Sequence, residues 1–112
     1  MTITFKEYQE LAARTAGAGN HDQQLRLAIA GLGLTGEAGE VAEKIKKHVG
    51  HGHPLDRENL LKELGDVLWY VAELCTVSEL NMAEVAQHNV DKLKRRYPEG
   101  FSQSASLNRV EE

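Results

Sequence analysis

Four acids carry the chemistry that this chain most plainly offers. Glu37 and Glu40 stand three residues apart in GEAGEV, and Glu63 and Asp66 stand three apart in KELGDVLWY. Helical residues at i and i+3 share a face, so each pair presents two carboxylates together. Neither pair points away from an apolar stripe. Asn59, Glu63, Asp66 and Tyr70 form a strip bordering the leucine-rich arc of their segment, and Glu37 and Glu40 lie beside Val41. Carboxylates at the border of a packing face are costly unless a cation or a metal offsets them. Four hard oxygen ligands from two packed antiparallel helices suit Mg²⁺ or Mn²⁺, which bind phosphate oxygens at the same time. The same spacing also describes solvated helix faces, with Lys44 four residues after Glu40 as an ordinary partner.

Four stretches with helical spacing must position these residues. The first runs from about Thr4 to Thr15 and sets Phe5, Tyr8, Leu11 and Ala12 on one face. Thr4, with Glu7 three residues on, is a capping box. Ala16 to Asn20 reads as a connection. The second stretch begins near His21 or Asp22 and reaches about His48, crossing the glycine-dense segment from Gly31 to Gly39. Its apolar stripes before and after those glycines do not share a face, so the helix must kink, break or contact different neighbours at its two ends. His48 to Leu55 reads as a loop, with two glycines and Pro54. The third stretch, about Arg57 to Leu80, is capped by Asp56 and carries the arc Leu60, Leu61, Leu64, Val67, Leu68, Val71 and Cys75. The fourth spans about Met82 to Tyr97, with Pro98 and Gly100 as stops. No alternating strand appears, and the expected fold is all-α: a single domain over residues 1–101 and a polar C-terminal tail over 102–112.

Composition narrows the function classes. In 112 residues, 41% hydrophobic and 27% charged, there is material for one modest core. A formal net charge of −4 argues against a nucleic-acid polymer or an anionic membrane as partner. No apolar run approaches the roughly 20 residues of a membrane span, and Met1 to Glu10 lack the order of a secretory signal, so a cytoplasmic location is expected. The lone Cys75 excludes an internal disulfide and a zinc site of paired cysteines, and its place on the apolar arc reads as buried.

Three blocks, GLTGEAGEVAEKIKK, ELGDVLWYVAEL and NVDKLKRRYPEGF, give the chain a family likeness. It resembles the MazG-like branch of the all-α nucleoside triphosphate pyrophosphohydrolases, from FKEYQELAARTA to YPEGF. The resemblance implies a four-helix-bundle-type fold assembled as a dimer or a dimer of dimers. It implies Mg²⁺ on Glu37, Glu40, Glu63 and Asp66, with Mn²⁺ as a substitute, and cleavage of nucleoside triphosphates to monophosphates and pyrophosphate in nucleotide-pool house-cleaning. Glu37 or Glu40 would then also act as the catalytic base. Several relatives carry a further glutamate where this chain has Gly36, and some carry lysine where it has Asn59.

Phosphate chemistry needs cations besides the metal. Asn89, Lys92 and Arg96 share a helical face and match the positions where the family places phosphate contacts; without that match they would read as a basic helix terminus favoured by the dipole. Lys44 and Lys47 follow Glu40 along one face and are further phosphate candidates. Tyr70, four residues after Asp66, points toward the metal edge as a base-stacking candidate, although an aromatic at that spacing also serves as core. Trp69 points roughly opposite, toward a helix or subunit interface. His48, His51 and His53 have no fixed helical spacing, and the carboxylates offer a metal the better site. The glycine cluster lacks the Gly-Lys-Ser/Thr ending of a P-loop and reads as room for close approach.

The reading is therefore a Mg²⁺-dependent nucleotide pyrophosphohydrolase acting on (d)NTPs. A narrower enzyme for dUTP, dCTP or phosphoribosyl-ATP is the alternative within the superfamily, and a non-catalytic dimeric helical module is the alternative outside it. Self-association is expected on burial grounds too, because so short a chain carries more apolar surface than one bundle covers.

Overall fold

The computed structural model describes residues 2–17 and 22–109. Five helices follow in order: α1 (Phe5–Ala13), α2 (Gln23–His51), α3 (Arg57–Val77), α4 (Met82–Arg96) and α5 (Gln103–Leu107). Among the described residues there is no strand, and the fold is all-α as expected.

Local sequence accounts for the helix starts. The Thr4 hydroxyl accepts from the Glu7 amide while the Glu7 side chain accepts from the Thr4 amide, closing the capping box on α1. Asp22, Asp56, Asn81 and Ser102 cap the four other helices through their side-chain oxygens. Gly17 has φ +58, in line with the expected turn, and the rest of that connection lies largely outside the described residues.

Helix α2 departs from expectation in two ways. It runs unbroken through the glycine-dense segment for 29 residues, so the mismatch of its apolar stripes is not resolved by a break. It also extends to His51, three residues past the expected end. Gly50 is tolerated within the helix, and termination waits for Gly52, which takes the left-handed conformation at φ +73. The amides of Gly52 and His53 both return to the Lys47 carbonyl, and the His48 ring nitrogen Nδ1 lies 2.7 Å from the His53 carbonyl oxygen. This histidine segment therefore closes a helix end. In the segment expected as a polar tail, Ser102 starts the short helix α5.

Helices α2 and α3 form an antiparallel pair joined by residues 52–56, and α1 packs across α3 and α4. The buried core sits where α1, α3 and α4 meet: Ala12, Ala72, Cys75 and Met82, with Tyr8, Trp69 and Val71 against them. Gln9 fastens this junction, donating to the Thr76 hydroxyl and the Leu80 carbonyl and accepting from the Met82 amide. Gln23 ties the start of α2 to the end of α3 through the Val77 carbonyl. Only the C-terminal half of the α3 arc is covered. Leu61 and Leu64 are 71% and 50% exposed, and Leu32 and Val49 on α2 are 75% and 78% exposed. The protomer is correspondingly extended, with a radius of gyration of 17.1 Å where a compact chain of this length has about 13 Å.

Candidate active site

The antiparallel register of α2 and α3 decides which side chains meet. Glu37 projects from α2 toward Glu63 and Asp66 on α3, and one carboxylate oxygen from each lies within 4.8 Å of the others. Glu37 and Glu63 are half-buried and Asp66 is exposed. Burial, and then the charges of Asp66, Glu63 and Glu40, hold the Glu37 carboxyl above its ordinary range. Every one of these influences disfavours its charge, and no cation among the described residues counteracts them. Three acids gathered in this way repel one another until a divalent cation turns repulsion into coordination, so this oxygen donor set fits Mg²⁺ or Mn²⁺. Tyr8 on α1 flanks the cluster. Burial, and then the Asp66 charge, push its hydroxyl above its ordinary range.

Glu40 stands apart from the triplet. It is exposed on α2 and bears on Glu37 through its charge. The three other expected ligands converge across the helix pair.

Moving from the triplet toward the α2 C-terminus, Lys44 and Lys47 line a cavity of about 280 Å³ with His53, Asp56 and Asn59. Lys47 is 3.8 Å from Glu43, which also meets Lys46 at 3.4 Å; both are exposed pairs along one helix. The Asn59 side-chain oxygen Oδ1 is buried in this wall without a hydrogen-bond partner. Seven residues separate Glu37 from Lys44, about 10 Å along the helix.

In the other direction α2 and α3 approach closely. The Tyr70 ring occupies the space where a Cβ on Gly33 would stand, so any side chain there must displace the ring. Trp69 meets Tyr70 edge to face, with centroids 5.0 Å apart, and donates its indole N–H to the Thr15 hydroxyl at 2.8 Å. Both rings line a second cavity of about 220 Å³ that also holds Arg26 and Glu73. Sequence reasoning put Tyr70 beside the metal edge and Trp69 at a helix or subunit interface; the two meet because adjacent residues can share one groove wall. It read Tyr8 only as part of the α1 face and passed over Arg26 and Glu73. The available signal was spacing: Asp66, Tyr70 and Glu73 follow one another at i, i+4 and i+7.

Asn89, Lys92 and Arg96 lie on α4, which packs principally against α1 and not against the α2–α3 groove. Lys92 and Arg96 are half-buried, Asn89 is exposed, and the Arg96 Nε is buried without a partner. Among the described residues, the acids of the triplet are the one group of three metal-ligating side chains so placed, and the histidines of the α2 end do not form another.

The helical chain that carries these acids belongs to a known class. Residues 28–101 match the MazG nucleotide pyrophosphohydrolase domain, and the chain belongs to that family. It is also similar to the Gene 37 protein of Mycobacterium phage L5, 39% identical over 109 residues, covering 91% of this chain and 96% of that relative. No solved structure matches the chain. No helix of the described residues is long and apolar enough to cross a membrane.

Proposed function

We propose that this chain hydrolyses nucleoside triphosphates, (d)NTPs, to the monophosphate and pyrophosphate with Mg²⁺, Mn²⁺ substituting. The convergence of Glu37, Glu63 and Asp66 across α2 and α3 carries this reading. Glu63 and Asp66 would hold the ion with Glu37, and Glu40 would complete the set once the ion draws the acids together. The ion, when bound, supplies Lewis-acid stabilisation of charge on the phosphate oxygens and acidifies water. Water adds across the bond between the α and β phosphates, and its proton passes to a carboxylate of Glu37 or Glu40. Lys44 and Lys47 would neutralise the departing pyrophosphate, with Asn89, Lys92 and Arg96 of α4 as further phosphate contacts. Tyr70 would stack on the base.

We further propose that the working unit is a homodimer or a dimer of dimers. The exposed Leu32, Val49, Leu61 and Leu64 and the extended protomer support it. Light scattering of the wild type and of a Leu61→Asp, Leu64→Asp variant tests this; multimers are expected for the first and a loss of mass for the second. A panel of (d)NTPs scored for pyrophosphate against orthophosphate, with Mg²⁺, Mn²⁺ or chelator, tests the activity. Orthophosphate release, or turnover unaffected by chelator, would overturn the proposal.

A further inference from the structure

The cavity between the start of α2 and the end of α3 contains an ion pair whose hydrogen-bonding capacity is unspent. Glu73 is only 8% exposed. Its Oε1 lies 3.5 Å from the Arg26 Nη2, beyond a good hydrogen bond, and has no other partner among the described residues. The Arg26 Nε is likewise buried without one. Burying a charged pair while leaving its acceptors and donors unmet is costly, and a hydrophobic pair would pack such a site more cheaply. Arg26 and Glu73 line a cavity of about 220 Å³ together with Ile29, Ala30, Trp69 and Tyr70. That volume is below the roughly 300 Å³ at which sites for drug-sized ligands begin. It suits one flat heterocycle, with aromatic rings to stack on and a polar edge to be read.

We infer that Arg26 and Glu73 read the nucleobase, and that they select guanine. A carboxylate offers acceptors only, and the guanidinium beside it offers donors only. Together they form a row of acceptor, acceptor, donor. Guanine presents the complement along its pairing edge: the 2-amino group and N1–H as donors, then O6 as acceptor. Adenine and cytosine present a ring-nitrogen acceptor where this row needs its central donor, and uracil or thymine keeps that donor but sets the O2 acceptor where the row needs the 2-amino group. Position agrees with the assignment. Glu73 follows Asp66 by seven residues on α3, about 10 Å along the axis, so a base read here leaves its phosphates toward the acids. This inference deepens the proposed function by naming the base class that its nucleotide site prefers.

The protein carries a single tryptophan, and Trp69 lines the cavity, so its fluorescence reports occupancy without turnover. The experiment titrates the full chain, free of divalent metal, with dGMP, dIMP, dAMP and dCMP. Saturable quenching is expected to be tightest with dGMP, about tenfold weaker with dIMP, which lacks the 2-amino donor, and weakest with dAMP and dCMP. Glu73→Gln is expected to abolish the preference for dGMP over dIMP while leaving dAMP binding within about twofold. Arg26→Gln, checked by its circular-dichroism melt, is expected to weaken dGMP and dIMP alike through the lost O6 contact. Equal quenching by the four monophosphates, or unchanged discrimination in Glu73→Gln, would overturn the assignment; if the variants do not fold, the wild-type panel decides alone. Turnover without base discrimination would sink this inference and leave the hydrolase intact. Guanine discrimination without turnover would do the reverse.

Discussion

The two ends of the α2–α3 groove are built on opposite principles. Beyond the acids on one side, Lys44 and Lys47 stand exposed around an open cavity, their charges spread on flexible stems in water. On the other side, Arg26 and Glu73 are drawn inside and line one cavity with Trp69 and Tyr70, beside the close approach of Tyr70 to Gly33. The first end is a screened field that attracts phosphate without fixing its geometry. The second is a shaped, desolvated slot in which a missed hydrogen bond is expensive. Under the proposed function a nucleotide would lie in this groove with its phosphates toward the lysines and its base toward the rings, with the acids between.

The largest test removes the middle of that layout. Asp66→Asn is expected to lower kcat on the order of 10³-fold, the loss typical of deleting a preorganised charge-stabilising group. The same change relieves repulsion within the triplet, so the metal-free melting temperature should rise while activity falls. A calorimetric scan with chelator beside a pyrophosphate assay checks both, and a variant that loses stability together with activity would argue that the acids are structural.

A second test separates the ends by stiffness. Gly33→Ala forces the Tyr70 ring aside and is expected to destabilise by about 1 kcal/mol, overpacking outweighing the gain in helix propensity. It should also raise KM for nucleotides several-fold. Gly50→Ala, where nothing lies within 4 Å of the new carbon, should instead stabilise α2 by up to about 1 kcal/mol. Denaturant melts of the two variants give the opposite signs directly.

At the lysine end the effect is gentler. Lys44→Ala with Lys47→Ala should raise KM for a triphosphate about tenfold with kcat changed less, and the deficit should shrink as salt is added, because exposed charges are screened over roughly 10 Å. Nucleoside monophosphate binding at the aromatic end should be almost indifferent to the same pair of changes.

The smallest effect concerns pH. The folded state holds the Glu37 pKa above the ordinary 4.5. Its contribution to metal-free stability is therefore fully present below that value and is lost as pH rises through the raised one. Glu37→Gln should flatten that part of the stability curve, so its melting temperature gains on the wild type between about pH 4.5 and neutrality. Saturating divalent cation should remove the difference.

How far the sequence carried this account follows from what kind of force acts at each point. Helix starts were legible at Thr4 and Asp56 because capping is local chemistry within three residues, whereas the start of α2 was placed only near His21 or Asp22. The acids on α3 were legible because i, i+3 spacing fixes a face whatever else packs there. The end of α2 was misjudged because Gly50 and Gly52 look alike in sequence, and only φ at Gly52 separates a tolerated glycine from a terminating one. Arg26 and Glu73 escaped notice for a different reason. Each is an ordinary surface-type residue until the register of two helices makes them neighbours, and register is a tertiary fact. Leu61 and Leu64 were legible as part of an apolar arc but their exposure was not, because periodicity reports that a face is apolar and not what covers it.

Calorimetric titration with Mg²⁺ and a non-hydrolysable nucleoside triphosphate tests the central claim, that Glu37, Glu63 and Asp66 form a metal site for a nucleotide. The wild type is expected to bind the triphosphate far more tightly with Mg²⁺ than without it, and Glu63→Ala combined with Asp66→Ala is expected to lose that difference. Unchanged Mg²⁺-dependent binding in the folded double variant would contradict the account.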